Sequence, residues 1–239
     1  MDLVIIILFC IGAAFVQRVS GFGFGIFIMT VLPFLLPSYG EATTLSGALA
    51  AVMSLIVLVK IWKFVPWRRL WPILITFLIT SAFAVNFVSL VQDSVLRRIL
   101  GMVFIALSIY FFFFSERITI KPTVTMQVTM GFLSGVLGGL FAMQGPPAVL
   151  YFIASERDKN NYMAITQAYF AIGNIFMTIV RAQNGFLTPT VQRCWFYAVA
   201  TLFIGIWLGR LVFDKVSAPI LRKIVYVYMA ISGILALVL

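Results

Sequence analysis

The sequence predicts an all-α polytopic membrane protein made of two inverted repeats, each a broken, re-entrant helical hairpin followed by three transmembrane helices. Three observations carry this expectation. The 239 residues are 63% hydrophobic and 10% charged, with a mean hydropathy of +1.11, which leaves no material for a separate soluble module. Long uncharged runs divide the chain into two halves with the same plan. The longest run of each half is interrupted by glycine or proline, where a membrane helix would otherwise continue unbroken.

Taken in order, residues 3–40 carry one basic residue, Arg18, and no acid. Inside this run, Ser20-Gly21-Phe22-Gly23-Phe24-Gly25 places three glycines in five residues. Each glycine costs about 1 kcal/mol in a helix and accepts dihedrals that other residues avoid, so the hexapeptide reads as a binding loop at the bilayer midplane. Ala42 to Val59, Leu70 to Gln92 and Ile99 to Ser115 follow as ordinary spans. The polar patch Glu116 to Lys121 marks a boundary, which assigns the first repeat to residues 1–115, a joining loop to 116–123 and the second repeat to 124–239. Pro122 to Ser155 is an uncharged run of 34 residues, too long for one straight crossing, and it is broken by Gln144-Gly145-Pro146-Pro147. Asn160 to Val180, Cys194 to Gly209 and Ile224 to Leu239 complete the second half.

The duplication is visible in residues as well as in layout. Leu96-Arg97-Arg98-Ile99 matches Leu221-Arg222-Lys223-Ile224 at an offset of 125, and Ser20-Gly21 matches Gln144-Gly145 at 124. Two agreements at nearly one offset point to internal repetition.

Loop charge decides whether the repeats are parallel or inverted. If each broken segment crossed once, the basic residues would divide 8 to 8 between the two sides. If each is a hairpin returning to its own side, Arg97, Arg98, Arg181 and Arg193 face 12 others across the membrane, with Arg18 inside it. The positive-inside rule selects the hairpins. Both termini are then outside, the Lys60–Arg69 and Arg210–Lys223 loops are cytoplasmic, and the halves are inverted.

Composition also narrows the chemistry. The net charge of +10 is spread over loops between apolar runs, as in a membrane protein with basic cytoplasmic loops rather than a nucleic-acid binder. Histidine is absent, Cys10 and Cys194 fit no metal spacing, and all seven acids fall in or beside loops. No cofactor, metal or enzyme activity is expected. The N-terminus lacks a basic n-region, so no cleavable signal is expected.

In the hairpin topology the two breaks enter from opposite faces and meet near the centre. A short helix is expected to start near Gly25-Ile26 and another at Pro146-Pro147, proline being favoured in a first helical turn. Helix N-termini carry about half a positive charge and open amides, so two facing one cavity favour an anion. Candidate anion-binding residues are Gln17, Arg18, Ser20, Gly21, Phe22, Gly23 and Gly25 in one half, and Gln144, Gly145, Pro146 and Pro147 in the other. Thr44, Asn86, Thr166, Gln167 and Asn174 are polar residues on spans that would line the path. Gly131, Gly135 and Gly139 form small-xxx-small spacings suited to helix packing. Trp62, Trp67 and Trp71 read as interfacial anchors, and Phe111 to Phe114 as lipid-facing bulk.

The run Phe15-Val16-Gln17-Arg18-Val19-Ser20-Gly21-Phe22-Gly23-Phe24-Gly25 resembles the first-half signature of the sulfite exporter TauE/SafE family. Gly138-Gly139, through Gly145-Pro146-Pro147 to Tyr151, resembles its second-half signature, and the resemblance extends over essentially the whole chain. It implies export of small sulfur-containing anions: sulfite, thiosulfate or organosulfonates such as sulfoacetate. Two positions depart from the family pattern: Gln144 where glycine is frequent, and Arg18 where a small residue is common. The expected partners are the anion and the lipid bilayer of a bacterial inner membrane, with no nucleic acid. The expected drive is the membrane potential; a channel of the same selectivity, or proton- or sodium-coupled carriage of a small organic anion, is the alternative.

Overall fold

The computed structural model describes residues 3–114, 122–213 and 218–238, with the side chains of Ser20, Phe112, Phe114 and residues 212–226 outside the described set. All regular structure among these is helical: α1 (Leu3–Ser20), α2 (Phe24–Ile28), α3 (Leu32–Leu35), α4 (Tyr39–Ile61), α5 (Trp67–Val88), α6 (Asp93–Phe114), α7 (Val124–Phe141), α8 (Gly145–Ser155), α9 (Lys159–Gln183), α10 (Pro189–Phe213) and α11 (Ala218–Val238). Six of them are long and apolar enough to cross a bilayer. The chain is an all-α polytopic membrane protein, as the sequence predicts.

Helix starts follow local chemistry. The Ser38 hydroxyl accepts from the Glu41 amide at 3.1 Å, Thr123 from Met126 at 3.2 Å and Asp158 from Asn161 at 2.9 Å. Each satisfies an amide that the first helical turn leaves open. The Tyr39 amide is taken instead by Asp93 of α6, at 2.8 Å, which ties the start of α4 to the start of α6.

Contacts at glycines fix the direction of each helix. Gly205 of α10 lies against Ile11, Ala14 and Phe15 of α1, and Gly209 against Phe15 and Arg18; α1 and α10 are therefore parallel. Gly40, at the start of α4, lies against Phe186 just before α10, so α4 and α10 begin at the same end of the bundle, and α1 with them. Between α1 and α4 the chain folds back, with the Phe27 ring of α2 against Gly12 of α1. In the second half, Gly131 meets Ile73 and Thr76, Gly135 meets Phe77 and Thr80, and Gly139 meets Ser81, Ala84 and Val85. This sets α7 parallel to α5, starting from the opposite end. α8 returns to that end, where Glu156 pairs with Arg69 at the start of α5, at 3.0 Å. α4 and α9 are antiparallel neighbours, as are α6 and α11, where Gly101 and Gly233 touch.

The expected packing role of Gly131, Gly135 and Gly139 is what these contacts describe. A Cβ on Gly139 would sit 2.5 Å from that of Ala84 and 2.8 Å from the Ser81 carbonyl, an overpacking that costs about 1–3 kcal/mol. Trp62, Trp67 and Trp71 are exposed, as interfacial anchors require. Other expectations need correction. Phe111 is buried, its ring 6.2 Å from that of Phe22, while Phe113 faces outward. Arg181 is 1% exposed, not a loop charge. Glu41 and Glu156 are buried although they lie near helix ends.

The helix ends around the two breaks give another register than the sequence match. Ser20 closes α1 as Phe141 closes α7, and Phe24 opens α2 as Gly145 opens α8. Aligned on these helix ends, Gly21 falls opposite Ala142 rather than Gly145.

Candidate functional site

α1 ends at a left-handed residue, Gly21, with φ +83°, and a second, Gly23, has φ +100°. α7 ends the same way at Ala142, with φ 56°. A left-handed conformation costs about 1–2 kcal/mol for a residue with a Cβ, so the second break holds a strained non-glycine residue. Its amide donates to Gly138 at 2.9 Å, and that of Met143 to Leu137 at 3.2 Å, which closes the helix by the usual 6→1 pattern.

The two breaks touch. A Cβ on Gly25 would overlap the carbonyl oxygen of Ala142, and one on Gly145 would meet Phe22 at 3.7 Å. Beside this contact is a cavity of about 30 Å³; about 10–15 Å³ suffices for one water. Its wall includes Gln17, Gly23, Gly25, Gln144 and Gly145 from the breaks, Ala50 and Ser54 from α4, and Phe170 and Asn174 from α9. Ala50 and Phe170 fall near the middle of their long helices, so the cavity lies midway between the two ends of the bundle.

Polar groups converge there. Gln17, Gln144 and Asn174 are no more than 6% exposed, and Ser54 is 1% exposed. Among the described residues the Ser54 hydroxyl and Gln144 Oε1 have no hydrogen-bond partner, and unsatisfied buried polar groups cost about 1–3 kcal/mol each. Gln144 is nonetheless held in place. Its Nε2 donates to the Phe170 carbonyl at 3.3 Å, and its carbonyl accepts from the Ser134 hydroxyl, which in turn accepts from Tyr169 at 2.8 Å. Gly138 and Gly173 leave the space its side chain fills: added Cβ atoms would approach Gln144 Cβ at 3.0 Å and Oε1 at 2.6 Å.

The helix N-termini are weaker donors than the sequence suggests. α2 has only five residues, and in α8 the first turn contains Pro146 and Pro147, which remove two of the four open amides.

The remaining predicted residues lie off this wall. Arg18 is half-buried with its stem across Gly209 of α10, and Phe22 packs on Phe111. Gly21, Pro146 and Pro147 shape the turns behind the cavity. The side chain of Ser20 is outside the described set. Thr44 and Thr166 donate to carbonyls of their own helices at 2.7 Å. Gln167 is buried elsewhere on α9, and Asn86, exposed, accepts from Asn184 at 2.8 Å near the end where α5 finishes.

Sequence reasoning missed Ser54, Ser134 and Arg181. Ala50 with Ser54, and Phe170 with Asn174, are pairs four residues apart on facing helices, a spacing that puts each pair on one helix face; that was the available signal. Arg181 Nη2 donates to the Gly138 and Gly139 carbonyls at 2.9 and 3.1 Å, neutralising the negative end of α7.

Comparison with known proteins agrees with this architecture. No curated protein and no solved structure matches the chain. The family model described as Sulfite exporter TauE/SafE matches residues 5–236. With that match running from the first helix to the last, and across both breaks, the chain belongs to the sulfite exporter TauE/SafE family.

Proposed function

We propose that the protein exports small sulfur-containing anions (sulfite, thiosulfate or organosulfonates such as sulfoacetate) and that the anion is held in the central cavity. The family is one of membrane transporters, not enzymes. The observation that carries the site is the convergence of Gln17, Ser54, Gln144 and Asn174 on one cavity, where two helix breaks meet. Neutral donors suit a carrier: they hold an oxyanion by hydrogen bonds without the deep electrostatic trap of an ion pair. In this reading residues 1–115 and 124–239 are inverted repeats. The helix directions support it, since α1 and α7 start at opposite ends and α4 and α9 run antiparallel. The first end carries Arg97, Arg98 and Arg193, the second most of the other cations, so the termini lie outside a bacterial inner membrane.

The drive is the membrane potential. Each 100 mV gives about 2.3 kcal/mol per charge, and about twice that for a divalent anion. In proteoliposomes, sulfite efflux is expected to rise with an imposed inside-negative potential and to carry net charge. Efflux indifferent to potential but driven by a pH gradient would overturn this.

A further inference from the structure

Arg181 is not accounted for by a cavity of neutral donors. It lies in the last turn of α9 and is fully buried, and among the described residues no carboxylate approaches within ion-pair distance. Only one nitrogen, Nη2, is used by the α7 carbonyls; Nε and Nη1 have no hydrogen-bond partner among the described residues. Nη1 faces α4, where a Cβ on Gly47 would stand 2.9 Å away, with Thr178 Oγ1 and Asn174 Oδ1 around the same point. Asn174 is part of the cavity wall. On the far side, toward the end where α4 begins, Tyr39 lies within electrostatic reach of Arg181, and its buried hydroxyl also lacks a hydrogen-bond partner among the described residues. A polar line thus leads from the cavity through Asn174 and Arg181 to Tyr39 along the α4–α9 seam. The backbone of Arg181 stands about 10 Å beyond that of Asn174 along α9, at about 1.5 Å per residue, and its guanidinium reaches back toward Asn174.

We propose that Arg181 is a second anion-holding station on this seam, taking an oxyanion from the central cavity and passing it to the end of the bundle where α4 starts. The inference rests on the exporter reading and names its exit side. A guanidinium suits this role because it stays charged, is less strongly hydrated than an ammonium and donates to sulfonate or sulfite oxygens through fixed N–H groups. Ionisable groups inside membrane proteins mark ion pathways more often than they serve packing. Gly47 gives the seam the room that any side chain would fill.

The test compares the wild type with Arg181→Gln, Arg181→Lys and Gly47→Ala, using sulfite binding to purified protein and sulfite efflux from proteoliposomes. Arg181→Gln is expected to lower efflux at least tenfold with the binding constant changed less than threefold, and Arg181→Lys to restore part of the efflux. Gly47→Ala, which crowds Nη1 without removing the charge, is expected to lower efflux three- to tenfold and decides the matter if Arg181→Gln does not fold. Efflux per folded molecule unchanged in either variant, or Lys no better than Gln with binding, efflux and melting temperature falling together, would reduce Arg181 to a cap on α7. A wild type that neither binds nor carries sulfite would instead overturn the exporter reading.

Discussion

The two breaks perform the same turn with different materials. The first is made of glycine: Gly21 and Gly23 take positive φ without strain, and two short helices of five and four residues follow. The second is made of bonds. Ala142 is forced left-handed, Gln144 is clamped between Gly138 and Gly173, Ser134 and Tyr169 hold its carbonyl, and Arg181 binds the last turn of α7. An eleven-residue helix follows. The two breaks thus differ in how they are held: the first relies on the backbone freedom of glycine, the second on side-chain and backbone bonds. Segments with few buried bonds are those that open first.

The comparison breaks most sharply at the point of contact. Gly25→Ala puts a Cβ into the Ala142 carbonyl. Overpacking costs about 1–3 kcal/mol, and here backbone rather than a side chain must yield. Sulfite efflux should fall about a hundredfold, since each ~1.4 kcal/mol is tenfold, and a proteoliposome assay showing normal flux would refute the head-to-head arrangement.

Next in size is the pair of glutamines. Gln144→Leu removes a donor to Phe170 and a clamped member of the cavity wall, and should weaken sulfite binding about 10- to 100-fold, the worth of a charge-assisted hydrogen bond of about 1.5–3 kcal/mol. Gln17→Leu removes a donor from the looser half and should cost about tenfold at most on the same scale. Calorimetric titration of both variants measures the difference; equal losses would mean that the halves hold the anion alike.

Smaller again are the turn residues themselves. Gly21→Ala meets no atom within 4 Å but keeps φ at +83°, so it should destabilise by about 1–2 kcal/mol. Ala142→Gly should do the reverse and stabilise by about 0.5–1 kcal/mol, the relief of strain less the entropy of glycine. Thermal unfolding in detergent should move in opposite directions for the two. The smallest effect belongs to Gly145→Ala, whose Cβ would find ordinary contacts, the nearest at 3.5 Å from Phe170; its stability should stay within about 0.5 kcal/mol of wild type.

These positions show how much the sequence discloses. The breaks were legible because glycine and proline at membrane depth have few explanations. The rest of the cavity was not legible. Ser54 and Ser134 are ordinary residues within apolar runs, and only the antiparallel pairing of α4 with α9 brings Ser54 to Asn174. Arg181 looked like a loop charge because it follows an uncharged run; its long side chain reaches back into the bundle, which no pattern of hydropathy records. The left-handed turn after α7 was not legible either, because alanine does there what glycine does after α1.

Pro146 and Pro147 bring a final consequence for turnover. In the proposed exporter, the two amide donors they remove from the first turn of α8 would leave the anion less firmly gripped, and a carrier that must let go on every cycle gains speed from a shallow well. Ordinary residues at those positions would make a better receptor and a slower exporter.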